Sequence, residues 1–208
     1  MNYSNSGNYE NYPVNKKAVQ RLVPVGEILS QLAEECVELS GALLEYDEME
    51  ASKGAYCNVN SSVEDALTKK WDAVREEIAD VQLTAEVLFG VVYEEEEQQM
   101  LQSMVKSVSI VANDLTTKDA RKALHRECLA LAKAALKLRR AMGWENPTPI
   151  TEGEAKKTLF CHISAVVALC GRLSDTEDIE QMLKIITEKM ERWAERLRGG
   201  MEDGNGIQ

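Results

Sequence analysis

Leu32 to Leu44 reads LAEECVELSGALL, and 92 residues later Leu124 to Leu136 reads LHRECLALAKAAL. Both stretches place apolar residues at i, i+4, i+7 and i+11, Leu32, Cys36, Leu39 and Leu43 in the first and Leu124, Cys128, Leu131 and Ala135 in the second, the period of a helix with one buried face. The match aligns Glu35 with Glu127 and Cys36 with Cys128. It resumes where Ile78-Ala79-Asp80-Val81 aligns with Ile163-Ser164-Ala165-Val166 at an offset of 85, and again where Gln99-Met100-Leu101 aligns with Gln181-Met182-Leu183 at an offset of 82. Loops absorb the change in offset. One three-helix unit is therefore expected to be duplicated. Three such helices bury a face poorly alone, whereas two units about a pseudo-twofold axis close a bundle.

The rest of the chain agrees with an all-α class. Two Phe and four Pro occur in 208 residues, and Ala, Leu, Glu, Lys and Met dominate the periodic segments. Ser62, Thr117, Thr151 and Ser174 are N-cap candidates; Thr151 with Glu154 and Ser174 with Glu177 have capping-box spacing, and Gly199-Gly200 is a stop signal. Helices are expected near 26–47, 63–92, 94–113, 118–142, 152–172 and 176–198. The polar, Asn- and Tyr-rich start predicts a flexible arm over residues 1–20, followed by units at 21–116 and 117–200 and a disordered tail at 201–208.

A formal charge of −11 argues against nucleic acid or an anionic membrane as the main partner, since both demand a basic face. Five cysteines without a CxxC pair fit a reduced, cytoplasmic chain. The longest near-apolar stretch, Leu159 to Cys170, is too short to span a bilayer and contains His162 and Ser164.

The chemistry is concentrated in carboxylates. Glu34, Glu35 and Glu38 form EExxE on one helix, and Glu77 with Asp80 forms ExxD on the next. Residues i and i+3 share a helical face, so two antiparallel helices can bring four oxygen donors together. Apolar neighbours (Leu32, Val37, Leu39, Ile78, Val81, Leu83) set these like charges against a core, where a cation relieves their repulsion. Oxygen ligands without nearby His or Cys select Mg²⁺, with Mn²⁺ the alternative. The run Glu94 to Glu97, by contrast, reads as a solvated face.

LAEECVEL followed by REEIADVQL resembles the MazG-like, all-α nucleoside triphosphate pyrophosphohydrolase superfamily. The resemblance implies Mg²⁺ held by Glu35, Glu38, Glu77 and Asp80, with Glu34 as a supporting carboxylate. It also implies cleavage of NTPs or dNTPs to the monophosphate and pyrophosphate. KLRRAMGWENPTP (Lys137 to Pro149) resembles a connection seen in such proteins, but the second half departs at the ligands. Ala130 stands at the Glu38 position, His162 at Glu77 and Ala165 at Asp80. Alanine cannot ligate, so a single composite site is expected, with phosphate or base contacts from the second half.

Lys137, Arg139, Arg140, Trp144 and Asn146 are substrate-binding candidates, as are Lys189, Arg192, Trp193 and Arg196 on the last helix, where KxxRW also resembles the family. Arg suits phosphate through its planar fork, and Trp can stack on a base. Glu34 or Glu38 is the candidate general base. No GxxxxGK[ST] loop occurs. The rival expectation is a slow or inactive nucleotide-sequestering protein. A homodimer stays open.

Overall fold

The computed structural model describes residues 11–53, 61–145, 149–174 and 176–204. Within them the chain is all-helical and contains no strand. The helices are α1 (Tyr12–Leu22), α2 (Val25–Lys53), α3 (Ser61–Val92), α4 (Glu95–Asn113), α5 (Thr117–Ala141), α6 (Glu152–Leu173) and α7 (Thr176–Gly204). Among the described residues no helix is long and apolar enough to cross a membrane. Cys57 and Asn146 lie outside the described residues.

Two antiparallel pairs, α2 with α3 and α5 with α6, meet where α2 packs on α5. Leu29, Leu32, Cys36, Leu39 and Leu43 of α2 and Leu124, Cys128, Leu131, Ala135 and Leu138 of α5 fill that contact, all fully or almost fully buried. The Cys36 thiol lies against that of Cys128, and this hydrogen bond, with burial, pushes its pKa up. Arg121 of α5, also buried, reaches back to α2. It donates from Nε to Asp47 Oδ1 at 2.6 Å, pairs with Glu50, and lies 4.9 Å from the Tyr46 ring centroid.

The remaining helices are exchanged between the pairs. α4 follows α3 but packs on α6, and α7 follows α6 but packs on α3 and α1. At the first crossing the Tyr93 hydroxyl donates to the Lys156 carbonyl at 2.8 Å, and Phe89, Tyr93 and Phe160 cluster. The turn that sends α4 away is built by its acidic run. Glu94 is the N-cap, and the Glu97 carboxylate accepts from its backbone N–H at 3.0 Å, so these residues cap a helix as well as solvate it.

Several sequence expectations are corrected. The second half of the supposed arm is α1, begun by Pro13 near its first turn and held by buried Asn15 and Val19. Tyr12 and Lys16 bond Glu86, and Asn15 accepts from Arg198 at 2.7 Å. α7 runs through Gly199 and Gly200 to Gly204, because glycine lowers helix propensity without forbidding a helix. Thr151 caps α6 with Glu154 as expected, but Thr116 rather than Thr117 caps α5. Ser62 lies inside α3; Ser174 ends α6, its hydroxyl donating to the Cys170 carbonyl at 2.9 Å, and Asp175, between it and α7, lies outside the described residues.

Candidate metal centre

Glu35 on α2 and Glu77 and Asp80 on α3 converge, each offering an oxygen within 4.8 Å of the others. The ExxD spacing puts Glu77 and Asp80 on one face of α3, and the antiparallel packing of α2 brings Glu35 to the same level. Ile78, Ala79 and Val81, all buried, fix the rotation of α3 that turns these carboxylates toward α2.

The electrostatics are those of a site short of positive charge. Burial, followed by the Asp80 charge, raises the Glu35 pKa from 4.5 to about 7; Gln31, donating to Glu35 Oε1 at 3.3 Å, acts the other way. Glu77 is raised by burial, then by Asp80 and Glu38, and lowered by Lys189. Its Oε2 is buried without a hydrogen-bond partner. An orphaned carboxylate oxygen beside two more carboxylates is costly unless a cation meets it. The donor set fits a hard divalent ion with retained waters.

Lys189 of α7 is the protein's own cation here, its Nζ paired with Asp80. Nothing near Asp80 in sequence announces it. Lys189, Arg192 and Arg196 follow at i, i+3 and i+7 and so form one stripe, with Arg192 and Arg196 exposed. Trp193 lies in the core rather than on a stacking surface, because α7 turns it toward Met190 and Ile186.

The other sequence candidates are placed differently. Glu38 is exposed and lies outside the three-carboxylate group, though its charge still bears on Glu35 and Glu77. Glu34 is exposed and about 100° round the helix from Glu35. The Trp144 ring lies against Gly26, where an added Cβ would come within 2.6 Å of it. Arg139 donates to the Gly26 carbonyl at 3.1 Å, pairs with Glu145 at 2.5 Å and stands 5.9 Å from the Trp144 ring centroid. Nine residues separate Gly26 from Glu35, so these side chains sit on roughly the opposite face of α2 from the carboxylates. Arg140 is exposed, bonding the Leu136 carbonyl at 3.3 Å; Lys137 is half-buried on α5. The lysine that pairs with the carboxylate group, Lys189, therefore comes from α7, not α5.

At the positions matching Glu35 and Glu77, Glu127 and His162 bond each other, Oε2 to Nδ1, at 2.9 Å. Comparison with protein-family models, curated proteins and solved structures finds no match.

Proposed function

We propose that the chain is a cytoplasmic, Mg²⁺-dependent nucleoside triphosphate pyrophosphohydrolase of the MazG-like type, with one composite site. The observation that carries the reading is the convergence of Glu35, Glu77 and Asp80 around an unpartnered Glu77 oxygen. These three would hold Mg²⁺ or Mn²⁺, and Glu38 borders them as a further ligand or general base. A bound divalent ion supplies charge neutralisation for a triphosphate and acidifies a coordinated water. The chain's own part is to hold the cation, to present the Arg192 and Arg196 guanidinium groups to phosphate oxygens, and to keep Lys189 beside Asp80 until ion and nucleotide arrive.

The duplicated architecture belongs to the same proposal. Three features support it: the exchange of α4 and α7 between the pairs, the meeting of Cys36 with its counterpart Cys128, and the Glu127–His162 bond at the aligned positions. α7 lies in the second unit and its Lys189 pairs with Asp80 of the first, which supports a site drawing on both halves.

Incubating the protein with a panel of NTPs and dNTPs plus Mg²⁺ and assaying pyrophosphate tests the reading. Release that vanishes in Asp80→Ala is the expected result; release unaffected by that change overturns the assignment. The Lys189–Asp80 pair favours a second reading, sequestration, because it already neutralises one ligand. Tight nucleotide binding without product would establish that instead.

A further inference from the structure

Four large apolar side chains stand exposed on the α2–α5 pair: Val37 at 55 % and Leu44 at 48 % on α2, Leu129 at 46 % and Leu136 at 37 % on α5. Seven residues separate the two on each helix, about two turns, so each couple forms a line. The lines share one side of the pair. Leu44 borders a shallow groove with Lys122, His125 and Arg126, and these three occupy the helical face that Leu129 continues. The Ser40–His125 bond at 2.7 Å and the Arg139–Gly26 bond fix which residues lie level on the two helices, and Val37 falls level with Leu129. At Gly41, between Val37 and Leu44, nothing lies within 4 Å of where a Cβ would be.

Charge decides what covers this side. α2 carries eight carboxylates and one Lys, whereas α5 carries eight Lys or Arg and two carboxylates. Glu34 and Glu48 are exposed along one edge of the apolar strip, and Lys122, Arg126 and Lys133 along the other. An acidic rail and a basic rail flanking an apolar strip complement a second copy of themselves. Of the twofold axes lying in the face, one perpendicular to the helices sets acid on acid. One parallel to the helices sets α2 on the α5 of the other copy and gathers Val37 and Leu129 of both at the centre.

We propose that the chain forms a homodimer through this side of α2 and α5, with α2 of each copy against α5 of the other. Glu35 points about 160° away from Val37 around α2, so the carboxylate cluster stays outside the interface. The dimer and the catalytic reading therefore stand or fall separately.

Sedimentation velocity on the full chain from about 1 to 100 µM tests the dimer, with circular-dichroism melting as a folding control. A dimer is expected, and Val37→Asp/Leu129→Asp should weaken it at least ~10-fold without lowering the Tm appreciably. Arg126→Glu/Lys133→Glu should weaken it too, by disturbing only the rim. A monomer throughout the range, or a dimer indifferent to both double variants, overturns the proposal. So does a full chain that is monomeric and dimerises only when residues 1–10 are removed, since that would make the chain's own beginning the occupant.

Discussion

The carboxylate face of α2 and α3 and the corresponding face of α5 and α6 share a helix pairing and differ in how charge is settled. On the first, Glu35, Glu77 and Asp80 crowd together with one lysine among them. On the second, Glu127 meets His162 at 2.9 Å, and Ala165 stands where a third acid would be. The second face has settled its polar groups internally. The first keeps carboxylate repulsion that a proton on Glu35 or a bound cation would relieve.

The largest break in this contrast should come from Asp80→Ala, lowering pyrophosphate release by about 10³-fold or more, in line with the loss of a metal ligand at a reacting phosphate. Glu127→Gln and His162→Gln should leave release within about twofold; steady-state assays of all three decide whether one face or both perform the chemistry. Glu38→Ala, outside the cluster but electrostatically coupled to it, should fall between, at about 10–100-fold.

Metal binding should next distinguish the faces by stability. A divalent ion at about 100 times its Kd adds ~2.7 kcal/mol to the folded state. For a chain of this size that is a rise of about 5–10 °C in Tm. Calorimetry with Mn²⁺ or Mg²⁺ should show the rise in the natural sequence and not in Glu35→Gln/Glu77→Gln. An equal rise in both proteins would move the ion elsewhere.

Without metal, the raised Glu35 should make the first face sensitive to pH. Glu35 has a folded-state pKa of about 7 against 4.5 when unfolded, so the folded chain binds more protons between those values. Its contribution is therefore fully present below about pH 4.5 and is lost as pH rises through 7. Thermal melts in EDTA from pH 5 to 8 should decline more steeply for the natural protein than for Glu35→Gln. Parallel curves would show that Glu35 is not strained.

The smallest effect should be a gain. His162→Glu/Ala165→Asp rebuilds carboxylates beside Glu127, and Mn²⁺ titration followed by electron paramagnetic resonance should reveal a second, weaker site. Unchanged stoichiometry would mean that helix rotation, not side-chain identity, separates the faces.

Much of this was legible in sequence because it is local. The i, i+3 spacing of Glu77 and Asp80 and the Thr151–Glu154 box are properties of a single helix turn. Glu34, Glu35 and Glu38 lie equally close in sequence, and only the rotation of α2 against α3 selects Glu35 for the cluster. Lys189 reaches Asp80 from 109 residues away, a relation that no local pattern encodes. α1 escaped for the same reason: its sequence is polar, and its burial of Asn15 and Val19 depends on α3 and α7 being already in place. The placing of Trp144 on the far side of α2 likewise follows from its seat on Gly26, a residue more than a hundred positions earlier.

The exchange of α4 and α7 also bears on what happens when the chain is cut. Severing the link at 114–116 would release two fragments, each with its last helix seated on the other's central pair. Neither fragment could bury its apolar faces alone, yet together they would present every surface needed to reassemble. The bundle is thereby suited to fragment complementation, each piece serving as the template on which the other folds.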